Sequence, residues 1–215
     1  MMPPSFLRLN NRLGSALVLA LPLLLGACAS VPGSMQTSPS VTDARTARTY
    51  HQAIEMGGRL SVRYQRNGNE ESLHGSFAWE QTPGRTTVTL LSPLGQTLAI
   101  IDITPLSATL MQPGQPPRVA QDVDSLTAAA LGWTLPVSGL QHWLQGFVIA
   151  ASGSEPQAIP AETAVINTPD GWRLHYVSWQ QDELLSPRRL DLERHTAQAG
   201  EVSLRIVVDR RQVRD

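Results

Sequence analysis

From Gly57 onwards the apolar positions fall mostly at every second residue, the spacing of strands with one face in a core. Leu60, Val62 and Tyr64 alternate with Arg59, Ser61 and Arg63, and Leu73, Gly75, Phe77 and Trp79 form one face of a second run. Between the two, Asn67 and Gly68 supply the positive φ that a short hairpin turn favours. Pro83 and Gly84 turn the chain into a third strand at Thr86–Leu90. A fourth, Leu98–Ile103, is apolar on both faces apart from Asp102, so packing is expected on each side of it. Thr104-Pro105-Leu106 then leads to a fifth strand at Ala108–Met111. Consecutive strands on short turns predict an up-and-down antiparallel meander, the plan of an open or closed barrel.

In the middle of the chain the period changes. Asp122 or Asp124 is placed to cap a helix through Leu126, Ala129, Ala130 and Leu131, which Gly132 ends. Ser138 is placed to cap a second helix, whose Leu140, Trp143, Leu144 and Phe147 fall at i, i+3, i+4 and i+7. Helices this short are marginal alone, so the stripe is expected on the sheet, with Trp133 and Trp143 as packing residues. Alternation resumes at Thr163–Asn167, Trp172–Trp179, Pro187–Glu193 and Val202–Val208. Upstream, Thr42 or Asp43 is placed to cap a short helix carrying Ala44, Ala47, Tyr50 and Ile54 on one stripe.

One turn breaks the rule that tips are polar. Leu91-Ser92-Pro93-Leu94-Gly95-Gln96 joins the third and fourth strands and carries a leucine at its tip. Burying such a side chain is worth about 1.5–3 kcal/mol. Leu94 therefore either folds back on a neighbouring loop or meets a partner or membrane.

The N-terminus places the chain beside a membrane. Arg8 and Arg12 precede an apolar run from Leu13 to Leu25, shorter than a span and suited to a signal peptide. The run ends in Leu25-Gly26-Ala27-Cys28, and Cys28 is the chain's one cysteine, so no internal disulfide is available. This segment resembles the lipobox of bacterial lipoproteins, which implies acylation of Cys28. Ala29 rather than Asp after it points to the outer membrane, facing the periplasm. The expected organisation is a signal peptide at 1–27, an acylated cysteine with a flexible tether at 28–42, and one domain at 43–215. Ala29–Ser40, rich in Ser, Pro and Gly, spans roughly 20 Å as a coil.

Charge and chemistry narrow the function by exclusion. Of 17 basic and 18 acidic residues, the mature chain loses Arg8 and Arg12, which moves the net charge from −1 to −3. That balance argues against nucleic acid and against electrostatic adhesion to a membrane. All the basic residues are arginine. His51, His74, His142, His175 and His195 show no metal-ligand spacing, and no phosphate loop or nucleophile elbow appears. Neither a catalytic residue, a metal ligand nor a cofactor site is expected. Asp102, inside an apolar strand, is the acid to check for a raised pKa.

Leu131-Gly132-Trp133-Thr134-Leu135-Pro136-Val137, with Leu140, Trp143, Leu144 and Gly146, completes a pattern. Together with Ser92-Pro93-Leu94-Gly95 upstream and Gly171-Trp172, Tyr176 and Pro187 downstream, it resembles the LolB family. The resemblance covers most of the chain from about Gly57 to Val208; the end at Asp209-Arg210-Arg211 departs from relatives that close on a tryptophan-containing segment. It implies a mainly β fold: an open antiparallel barrel of about eleven strands, short helices over the opening, and an internal apolar cavity. It further implies a monomeric receptor that takes acylated lipoproteins from a LolA-like periplasmic carrier and places them in the inner leaflet of the outer membrane. Leu94 matches the family's membrane-insertion loop, and Phe77, Trp79, Leu98 and Ile100 are expected to line the cavity. Two other functions fit the same features. One is an envelope lipoprotein that scaffolds proteins through a β-surface, and the other is a hydrophobic-ligand store.

Overall fold

A computed structural model describes residues 48–149, 156–159, 165–181 and 185–214. The signal peptide, Cys28 and the tether lie outside the described residues. Six strands come first: β1 (Ile54–Arg66), β2 (Asn69–Thr82), β3 (Arg85–Leu91), β4 (Thr97–Ile103), β5 (Ala108–Met111) and β6 (Arg118–Ala120). Helices α1 (Val123–Leu131) and α2 (Val137–Trp143) follow. Then come β7 (Phe147–Ile149), β8 (Pro156–Ala158), β9 (Val165–Asn167), β10 (Arg173–Trp179), β11 (Pro187–Thr196) and β12 (Gly200–Val213).

Ten strands make one antiparallel sheet in the order β6-β5-β4-β3-β2-β1-β12-β11-β10-β9, and β7 pairs with β8 apart from it. The sheet is open: β6 and β9 stand at its two ends and do not pair. The described residues thus hold twelve strands against the roughly eleven expected. Short turns build the meander. Asn67 and Gly68 take φ of 53° and 80° between the paired Arg66 and Asn69, the left-handed pair that a two-residue hairpin needs. In the middle of the sheet the ladder between β1 and β12 slips at Gly57/Gly58. A Cβ on Gly58 would lie 2.0 Å from the Val207 carbonyl oxygen, so glycine is what lets the two backbones approach.

One face of the sheet carries the core. Met56, Phe77, Trp79, Leu174 and Leu204 bury against Leu126, Leu140, Trp143 and Leu144 of the helical segment. Asp122 caps α1, accepting a hydrogen bond from the Ser125 amide at 2.8 Å, and Gly132 ends it with φ of 83°. The second helix departs from expectation. Pro136 stands at its start without a side-chain cap, and Ser138 instead donates to Asp124 Oδ2 at 2.7 Å, which ties α2 to α1. Phe147 falls in β7, because the helix ends at Trp143 and Gly146 turns the chain with φ of 80°.

Two further expectations are corrected. Tyr50 has no regular structure and Ile54 opens β1, so neither belongs to a helix. The alternation of buried Ile54 and Met56 prevails because Gln81 and Val213 flank Ile54 from the two neighbouring strands. Among the described residues, the core cluster packs against one face of β4 and not against both. Ala99 and Ile101 are buried, whereas Leu98 and Ile100 are half-buried and stand apart from the core cluster.

Candidate functional site

The inner face of β1–β4 and β12, with the two helices above it, encloses an apolar cavity of about 120 Å³. Leu60, Val62, Leu73, Phe77, Trp79 and Val88 line it from the strands. Leu131, Trp133, Leu135 and Leu140 line it from the helical segment, and no charged side chain contributes. Leu73 and Leu131 are 39% and 41% exposed, so the cavity opens where they stand. Tyr64 and Trp133 approach each other near that opening with ring centroids 5.6 Å apart.

The other end is sealed by polar bonds. Trp79 Nε1 donates to Gln81 Oε1 at 3.2 Å, and Gln81 Nε2 donates to Tyr50 Oη at 3.0 Å. The C-terminal end of α2 is pinned to the sheet beside this seal. Tyr176 Oη donates to the Trp143 carbonyl at 3.1 Å, and Arg211 Nη2 donates to the Leu144 carbonyl at 2.6 Å. Burial pushes the Tyr176 hydroxyl well above the ordinary tyrosine range, so it remains a donor at any physiological pH. Arg48 donates to the Gly146 carbonyl at 3.2 Å and lies over the Trp179 ring at 4.6 Å. The Trp133 indole nitrogen, by contrast, is buried with no hydrogen-bond acceptor among the described residues. Leaving such a donor unpaired costs about 1–3 kcal/mol.

The turn after β3 stands at the open end. Leu91, the last residue of β3, pairs with Ser76, so β2 runs on past it through Gly75 to Leu73 at the mouth. Gly95 N donates to the Ser92 carbonyl at 2.9 Å and takes φ of 81°, and Ser92 N donates to the Gln96 carbonyl at 2.8 Å. These bonds hold the stem of the turn, while Leu94 at its tip is 88% exposed.

Of the four residues expected in the cavity wall, Phe77 and Trp79 are there, and Leu98 and Ile100 are on the opposite face of the sheet. The physical reason is strand parity. Leu98, Ile100 and Asp102 share one face of β4, and Asp102 accepts from Arg85 Nε at 2.7 Å and from Thr87 Oγ1 at 3.1 Å on the outside. The same pair reverses the expectation for Asp102. Its hydrogen bonds from Arg85 hold the carboxyl below the usual range, against a smaller opposing effect of burial. The acid with a raised pKa is Asp124, where burial outweighs the hydrogen bonds from Ser138. Sequence reasoning missed Trp133, Leu135 and Leu140 as wall residues. The apolar stripe of α2, which had to face the sheet, carried the signal for Leu140; Trp133 and Leu135 precede that helix.

The site is thus an apolar pocket under a cover of two short helices, a lining suited to an apolar ligand. The family model "Outer membrane lipoprotein LolB" matches residues 52–210. An outer-membrane lipoprotein LolB of Cupriavidus necator is 41% identical over 90% of this chain and 93% of its own. That of Cupriavidus taiwanensis is 42% identical over 93% and 97%. More distantly, the LolB of Shewanella baltica is 29% identical over 95% and 92%. The chain belongs to the LolB family. It is an outer-membrane lipoprotein receptor of the Lol pathway, lipid-anchored and facing the periplasm.

Proposed function

We propose that the cavity is the acyl-chain site of this receptor, and that the turn carrying Leu94 delivers what the cavity holds. In this account Cys28 bears the lipid anchor, 28–42 is the tether, and 43–215 works as one domain built as an unclosed barrel. The supporting observation is that the cavity mouth, marked by Leu73 and Leu131, and the exposed Leu94 occupy the same end of the sheet. Each acyl methylene withdrawn from water is worth about 0.8 kcal/mol, so releasing a long chain into the periplasm would cost well over ~10 kcal/mol. Cargo therefore passes from a carrier's apolar cavity to this one and then to the bilayer without crossing water. A LolA-like carrier is the donor, an acylated lipoprotein the cargo and the inner leaflet of the outer membrane the acceptor.

The closed cavity is small for that task. An apolar cavity of roughly 150 Å³ holds one benzene, so about 120 Å³ holds a short stretch of chain at most. Loading requires the helices to lift. The C-terminal end of α2 is held by Tyr176 and Arg211, so the opening movement belongs at the Leu131–Leu135 end, beside the mouth. Trp133 Nε1, without an acceptor in the closed state, is the donor available there to an ester carbonyl of the cargo.

The test uses the mature chain carrying Cys28→Ala, which leaves the cavity intact and removes the anchor. Mixed with carrier loaded with an acylated lipoprotein, it takes the cargo into a stable complex. The same lipoprotein without acyl chains does not transfer. Equal transfer of acylated and unacylated cargo contradicts an acyl site and favours the scaffold function, in which a β-surface recognises protein.

A further inference from the structure

We infer that the outer face of β3–β5 next to the Leu94 turn is a second lipid-contacting surface, which lies against the apolar zone of the bilayer once Leu94 has entered it. This rests on the assignment of Leu94 as the membrane-insertion residue.

Four side chains make the surface: Leu91 of β3, Leu98 and Ile100 of β4, and Met111 of β5. Alternation puts them all opposite the cavity. Leu90, Ala99, Ile101 and Leu110 take the inner positions, and Leu90 and Ile101 line the cavity itself. Ile100 pairs directly with Met111, which joins the patch from β4 to β5, and Leu91 of β3 stands opposite Thr97 at the start of β4. Leu98 is the extra residue where the register slips between Leu90/Leu91, immediately after the Leu94 turn. None of the four belongs to the core cluster or packs against it. A central strand apolar on both faces is normally covered on both; here Met111 is 39% exposed, and Leu91, Leu98 and Ile100 are half-buried and outside the core cluster.

The occupant follows from what surrounds the patch. It is continuous with the turn that carries Leu94. At its lower border the charges of Arg85 and Asp102 are neutralised by their ion pair. With a net charge of −3 on the mature chain, adhesion to an anionic leaflet has to be apolar. The 19 residues from Ala29 to Ala47 separate Cys28 from Arg48. At up to ~3.3–3.6 Å per residue they reach about 60 Å, enough to let the side of the domain lie on the membrane that holds the anchor. The surface is therefore matched to lipid rather than to a charged protein partner.

The experiment uses the mature acylated protein in phosphatidylethanolamine and phosphatidylglycerol vesicles. With Cys28 occupied by lipid, an introduced cysteine is the one reactive thiol. An environment-sensitive fluorophore is placed through Leu94→Cys, Ile100→Cys, Met111→Cys or, on the outer face of β12, Ser203→Cys. Probes at 94, 100 and 111 shift to the blue on vesicles and lose most of their access to an aqueous quencher, while the probe at 203 does neither. A shift at 94 without shifts at 100 and 111 overturns the surface and leaves the Leu94 assignment standing; no shift at any of the three overturns both. As a second arm, Ile100→Ser combined with Met111→Ser lowers the delivery rate on the order of tenfold with cargo uptake unchanged. An unchanged delivery rate in that variant also overturns the proposal.

Discussion

Strand β4 has a leucine-tipped turn at each end, and the two tips are alike in composition and in exposure. Ser92-Pro93-Leu94-Gly95 precedes the strand and Thr104-Pro105-Leu106-Ser107 follows it, each with proline before the leucine. Leu94 is 88% exposed and Leu106 87%. Their surroundings differ. The Leu94 turn stands over the cavity mouth and borders the apolar patch of Leu91, Leu98 and Ile100. The Leu106 turn stands at the sealed end, where Pro105 borders a crevice of about 330 Å³ lined by Tyr50, Gln81, Gln141 and His142. Exposure of an apolar side chain therefore does not by itself mark a lipid contact. Position relative to the cavity and to other apolar surface does.

The largest effect expected is from Leu94→Glu. Losing the insertion of one leucine removes about 1.5–3 kcal/mol, so delivery to vesicles falls between roughly tenfold and a hundredfold while uptake from the carrier is unchanged. Delivery at the normal rate, or a variant that fails to fold, makes Leu94 structural. Leu106→Glu sharpens the comparison, because the same chemistry at the sealed end leaves delivery within about twofold of normal. A loss equal to that of Leu94→Glu would mean that both tips work the membrane. The smallest effect belongs to Asp102 at the polar border of the patch. Hydrogen bonds from Arg85 hold its folded pKa below the unfolded value. The stability this provides is fully present above the ordinary carboxylate pKa and is lost as the pH falls through the lowered folded value. Asp102→Asn accordingly unfolds with less dependence on pH in that acid window, a small difference because the pair is exposed to solvent. Identical acid titrations of the two proteins would show that the pair contributes nothing.

Much of this contrast was legible in the sequence, and what was not has a definite cause. The meander, its turns at Asn67-Gly68 and Pro93-Leu94-Gly95, and the Asp122 and Gly132 ends of α1 follow from local rules that tertiary structure left alone. The two faces of β4 could not be told apart while both looked apolar, which is why Leu98 and Ile100 were expected in the cavity. Asp102 held the answer, since a carboxylate paired with Arg85 and Thr87 marks the outer parity. The helix expected from Thr42 or Asp43 does not reach Tyr50 and Ile54, because β1 gains a paired neighbour on each edge, which local periodicity does not register; its start lies outside the described residues. Trp133 looked like packing alone, and it packs; that it borders a cavity depends on how far the segment between α1 and α2 stands from the sheet, a distance no residue pattern states.

The central claim is that the end of the sheet bearing Leu94 meets lipid and the end bearing Leu106 does not. Its most direct test is quenching by a lipid-borne nitroxide of a fluorophore introduced through Leu94→Cys or Leu106→Cys in the mature acylated protein on vesicles. Strong quenching at 94 with little at 106 is the predicted result. Equal quenching at the two positions, or stronger quenching at 106, contradicts it.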